Sequence, residues 1–108
     1  MVSAAILVLT QMPDRASAHA LARSLLEAHL AACVSVGAPA ESLYHWRGQI
    51  ETAQEFPVAV KTRSERYAEV EAVIRAQHPY ELPEIIVVPI VDGLVPYLDW
   101  IANETARS

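Results

Sequence analysis

The hydrophobic residues of this chain fall into four short stretches that are typical of β-strands. Each stretch is continuously apolar or alternates between apolar and polar positions, as strands do when one or both faces are buried. The stretches are residues 4–10, 31–36, 56–61 and 85–91. In the third, Phe56, Val58 and Val60 share one face, which places Lys61 on the opposite, mixed face.

Three further segments have the apolar repeat of amphipathic helices. The first runs from about residue 14 to residue 29, because Asp14 supplies capping chemistry and leucines then recur at helical spacing. The second starts at Ser64, a good N-cap residue, and must stop before Pro79. A last, short helix opens near Pro96.

A β-hairpin is the simplest interpretation of the middle of the chain. Residues 42–46 alternate around a pleat, and Arg47 and Gly48 form a plausible two-residue turn into the returning strand. The irregular residues 52–54 predict a bulge or kink in that strand. A break is also expected at residues 37–39, which are Gly-Ala-Pro.

The order β-α-β-β-α-β plus a terminal helix predicts an α+β, ferredoxin-like sandwich in one domain covering residues 1–108. In that arrangement two helices cover one face of a four-stranded antiparallel sheet. The other face and the edges of the hairpin stay uncovered within one subunit.

The composition indicates a protein that associates with itself. Hydrophobic residues make up 53% of the chain and charged residues 19%, which leaves more apolar surface than one small core hides. The net charge of −5 and the absence of a Lys/Arg cluster argue against nucleic acid as a partner. The first apolar run is too short for a signal peptide or a membrane span, so we expect no membrane partner and a cytoplasmic location. The single cysteine, Cys33, excludes an intrachain disulfide and is expected to be buried.

A proline-stiffened segment, His78-Pro79-Tyr80-Glu81-Leu82-Pro83-Glu84, leads into the last strand. The two prolines exclude a helix there and hold the polar side chains on an extended linker at the entrance of a buried strand. The segment is either a binding site or an ordinary loop whose polar groups face water.

The chemistry available to these residues is limited. The three glycines are too far apart for a nucleotide-binding motif, and no serine or cysteine has the setting of a nucleophile, so an enzyme is not expected. His78 with Glu81 or Glu84 provides imidazole and carboxylate ligands suited to copper or zinc. No cofactor is obligatory, and Cu²⁺ or another divalent cation is a candidate ligand.

Five segments together resemble the CutA family, the divalent-ion tolerance proteins, and cover nearly the whole chain in order. They are residues 30–34 (LAACV), 42–51 (SLYHWRGQIE), 61–63 (KTR), 78–86 (HPYELPEII) and 97–101 (YLDWI). The resemblance implies a tight homotrimer of ferredoxin-like subunits joined through the hairpins, similar to PII signalling proteins.

The resemblance also implies copper or a related divalent ion as ligand. In some family members the copper ligands are a cysteine and two adjacent histidines; the corresponding residues here are Thr10, Gln77 and His78, so only the last matches. A second group that the resemblance places near a cleft between subunits consists of Trp46, Glu55, Lys61, Tyr80 and Glu84.

Three hypotheses therefore remain open. A trimeric divalent-cation-binding protein requires His78 and carboxylates to converge. A PII-like binding or signalling trimer would hold a small anion with Trp46, Lys61 and Tyr80. An enzyme would use Lys61 and Glu84 as an acid-base couple. We also expect Lys61 and Glu84 to form an ion pair.

Overall fold

The computed structural model describes residues 4–106; residues 1–3 and 107–108 lie outside the described part. The elements follow the predicted order except that three strands, and not two, lie between the first two helices, and a turn of 3₁₀ helix (Ser64–Arg66) precedes the second helix. They are β1 (Ala5–Met12), α1 (Arg15–Glu27), β2 (Cys33–Val36), β3 (Ala40–Trp46), β4 (Gln49–Arg63), α2 (Tyr67–Gln77), β5 (Ile86–Pro89) and α3 (Val95–Glu104).

All strand pairs of the sheet are antiparallel, and the strand order is β2-β4-β1-β5. The first half of β4 extends beyond these partners and pairs with β3. The α+β class predicted from the sequence is confirmed: one antiparallel sheet combines with three α-helices in residues 4–106.

The core lies between one face of the sheet and the first two helices. Every second residue of β1 is buried, and on β4 Val58 and Val60 face the same way. Leu21 and Leu25 of α1 and Ile74 of α2 pack onto this face. The predicted face of the third apolar stretch is therefore confirmed, and Lys61 indeed has the opposite parity.

The start of α1 is as predicted, whereas the start of α2 is not. The Asp14 side chain accepts a hydrogen bond from the Ser17 amide at 2.7 Å, which caps α1. Ser64 does not cap α2, because the chain first makes the 3₁₀ turn over Ser64–Arg66 and Arg66 occupies the cap position. The end of α1 is at Glu27, and His29 has φ +56°.

The hairpin is confirmed, but the predicted kink at residues 52–54 is wrong. Each of these residues has a direct partner on β3, so β4 runs without an extra residue for its full length of 15 residues. The interruption lies instead on the partner side of β4, at residues 37–39, which separate β2 from β3. There the Gly37 amide bonds to the Pro57 carbonyl at 2.8 Å, and pairing resumes at Ala40 opposite Glu55.

The last strand differs from expectation in length and in burial. β5 covers Ile86–Pro89 instead of residues 85–91, and all four of its residues are exposed. Because it is an edge strand that pairs with β1 alone, no element of the described chain covers its second edge.

Cys33, at the opposite edge of the sheet, is half-buried, contrary to expectation. No helix within residues 4–106 is long and apolar enough to cross a membrane.

Candidate functional site

A cleft of about 960 Å³ separates the β3–β4 hairpin from the segment that leads into β5. Its lining consists of residues 42–46 and Glu55 from the hairpin and residues 80–86 from the segment before β5. The proline-stiffened segment singled out in the sequence thus forms one wall of a cleft, from Tyr80 onward.

The strand register determines which side chains share the hairpin wall. In the antiparallel pairing, Ala40 lies opposite Glu55, Tyr44 opposite Glu51 and Trp46 opposite Gln49. Directly opposite residues point to the same face, and residues two apart on a strand do so too. Tyr44, Trp46 and Glu55 therefore lie on one face of the hairpin.

Glu55 is the most deeply placed acidic residue of the cleft. It is only 8% exposed, although it carries a carboxyl group, and no Lys or Arg forms an ion pair with it within residues 4–106. Burial raises the pKa of Tyr80 above its ordinary value of 10.0, and the charge of Glu55, hydrogen bonding to that carboxylate and the nearby Tyr44 raise it further. Tyr80 therefore stays neutral and available as a hydrogen-bond donor to Glu55 at physiological pH.

The charged residues of the cleft are nearly all acidic. Three carboxylates line it (Glu55, Glu81 and Glu84), with no lysine or arginine among the lining residues. At its margin, Arg47 Nη2 binds Glu81 Oε2 at 2.9 Å, and the Arg47 guanidinium lies 5.4 Å from the centre of the Trp46 ring. This arrangement leaves a surplus of negative charge inside the cleft, which attracts cations and repels anions.

His78 has a structural position outside this cleft. It is 8% exposed, and its Nδ1 accepts a hydrogen bond from the Tyr80 amide at 3.2 Å. An acceptor nitrogen carries no proton, so Nε2 bears it and donates to the Gln11 carbonyl. Both ring nitrogens are thus engaged, and the ring packs on Tyr80 with 4.6 Å between centroids. His78 positions Tyr80 and has no free nitrogen for a metal in this arrangement.

The other metal-ligand positions do not converge on His78. The exposed Glu81 carboxylate is held by Arg47, Gln77 donates to Ser24 Oγ at 2.8 Å, and Thr10 lies buried in the core. In the part of the chain that the structure describes, no group of three or more His, Cys, Asp or Glu side chains is close enough to hold a metal ion. One subunit alone therefore does not provide a complete copper site.

Lys61 does not line the cleft with the other four residues of the predicted group, and within residues 4–106 of one subunit Lys61 forms no ion pair with Glu84. Its Nζ is 3.3 Å from the Tyr97 hydroxyl of α3 and 5.5 Å from the centre of that ring. Lys61 shares the face of Glu55 but lies six residues further along β4, which corresponds to about 20 Å of strand. Strand parity predicts the face on which Lys61 lies, but it does not specify the position along the strand.

Tyr44 is the cleft residue that sequence reasoning missed. The sequence predicts Tyr44 on the hairpin but assigns it no role in the cleft. An uninterrupted strand would have indicated the shared face, since residues at even spacing on β4 and their partners on β3 point the same way.

Fold and site together define a small α+β protein with an acidic, aromatic-walled cleft beside a long hairpin. The family model described as CutA1 divalent ion tolerance protein matches residues 6–104. The divalent-cation tolerance protein CutA of Archaeoglobus fulgidus is 47% identical over 95 residues, which are 88% of this chain and 91% of that protein. The chain therefore belongs to the CutA1 divalent ion tolerance family.

Solved structures agree with this assignment. The structure of CutA1 from Oryza sativa has a TM-score of 0.94 and 34% identity, covering 99% of this chain and 98% of that one. The structure from Archaeoglobus fulgidus, described as a periplasmic divalent cation tolerance protein, has a TM-score of 0.92 and 41% identity, covering 94% and 99%.

Proposed function

We propose that this protein is a cation-binding member of the divalent ion tolerance family and that the acidic cleft is its binding site. The observation that carries the proposal is Glu55, a carboxylate more than nine-tenths buried that has no cationic partner among the described residues. A buried charge without a counter-ion is costly, and a bound cation reduces that cost.

Divalent copper is the metal that the family resemblance indicates, and we propose that it binds weakly. Thr10 and Gln77 replace the thiolate and one imidazole, so the soft donors that favour copper are missing. Glu55 and Glu84 would supply carboxylate oxygens from the cleft. We expect a dissociation constant in the micromolar range or weaker, which corresponds to a binding free energy no more favourable than about −8 kcal/mol.

We also propose a homotrimer of ferredoxin-like subunits, with an assembly similar to that of PII proteins. Support comes from the apolar residues that the single chain leaves in solvent. Val91 is 93% exposed and Leu94 73%, next to the four exposed residues of β5. Patches of this kind mark association surfaces, and an open sheet edge favours pairing with another copy.

The alternative of a small anion as ligand has less support. That hypothesis relied on Lys61, whose ammonium group donates to the Tyr97 hydroxyl of α3 and does not line the cleft. We propose binding and not catalysis as the role of the site, and a cytoplasmic location.

Isothermal titration with CuCl₂ at neutral pH tests the proposal. Wild type should bind with at least one site per chain, and Glu55→Gln should weaken binding at least tenfold because it removes the buried charge. Glu27→Gln is the matched control: it removes the same charge from an exposed position on α1, where Glu27 pairs with Arg23. Equal loss in both variants, or no loss in Glu55→Gln, contradicts the assignment of the cleft.

A further inference from the structure

We draw no further inference here: the strongest candidate, a cavity of about 510 Å³ between the ends of α1 and α3 that is lined by the buried Arg66, carries none, because the Arg66 guanidinium is already bound to Glu69 and to the Thr105 carbonyl and nothing among residues 4–106 indicates a ligand for it.

Discussion

At the scale of single residues, Glu55 and Tyr80 determine the electrostatics of the cleft. The carboxylate is buried without a cation, and the phenol opposite remains protonated beside it. Their interaction makes a direct prediction about pH.

The folded protein should lose stability at high pH through Tyr80. Because its pKa is raised on folding, the folded state holds the phenol proton more tightly than the unfolded state. That contribution is fully present below the ordinary pKa of 10.0 and is lost as the pH rises through the raised value. Tyrosinate absorbance during an alkaline titration should show Tyr80 ionising at lower pH in Glu55→Gln than in wild type, with burial keeping part of the shift.

A control for this titration is available on α2. The Tyr67 hydroxyl donates to Glu71 at 2.7 Å, and this hydrogen bond is the main cause of the raised pKa of Tyr67. Glu71→Gln should therefore lower the pKa of Tyr67 and leave Tyr80 unchanged. A Tyr80 titration that does not respond to Glu55→Gln would show that the two side chains do not interact.

His78 should matter for stability and not for copper. His78→Ala leaves the Gln11 carbonyl and the Tyr80 amide without their partner in a buried setting, which costs about 1–3 kcal/mol. Urea unfolding should show this loss while the copper affinity stays close to that of wild type. His19→Ala, at an exposed position on α1, controls for surface histidines that bind copper weakly. Loss of copper binding with unchanged stability would contradict this prediction and would identify His78 as a metal ligand.

The family resemblance indicated most of the cleft residues, but it did not give their exact arrangement. Trp46, Glu55, Tyr80 and Glu84 do line it. Lys61 could not be placed from parity, because parity specifies the face of a strand and not the position along it. The orientation of His78 depends on two backbone groups that no sequence pattern indicates.

At the scale of elements, the hairpin is the feature that builds the site. Its two-residue turn has φ +51° at Arg47 and φ +78° at Gly48, the combination that a tight hairpin turn requires. The turn brings Tyr44 and Glu55 onto one face because it sets the register of β3 on β4.

Gly48→Val should loosen this hairpin. An added Cβ meets no atom within 4 Å, so the cost is the left-handed backbone alone, roughly 1–2 kcal/mol for an L-residue. Urea unfolding measures the loss, and Gly48→Asn should lose clearly less because asparagine tolerates this conformation. Equal losses in the two variants would show that backbone strain is not the cause.

The elements themselves were largely readable from the sequence. Asp14 predicted the start of α1 correctly, because helix capping is a local interaction between its side chain and the Ser17 amide. The continuous apolar run of β5 predicted a buried strand, yet β5 lies exposed at the edge of the sheet. Sequence periodicity reports that residues avoid water, but it does not tell whether the same chain or another copy covers them.

At the scale of the whole molecule, the exposed apolar strand and the open sheet edge support the proposed trimer. Val88 of β5 is 39% exposed and pairs with Leu7 on the face opposite the core. Light scattering should give a mass of about 35 kDa, three times the 11.8 kDa of the chain. A mass of one chain at micromolar concentration contradicts the proposed assembly.

Val88→Lys should reduce that mass, because a charge buried between subunits disfavours association. Leu26→Lys provides the matched control. Leu26 is equally exposed, at 39%, but lies on α1, away from β5. Dissociation by Val88→Lys alone locates the interface, whereas the same effect of both variants would indicate unspecific destabilisation.

The most direct measurement of the central claim is a crystal structure of the protein soaked in CuCl₂, with anomalous scattering recorded at the copper edge. We expect an anomalous peak inside the cleft, within ligand distance of the Glu55 carboxylate, and its loss in Glu55→Gln. A peak bound to His78 with none in the cleft would contradict the assignment of this cleft as the cation site.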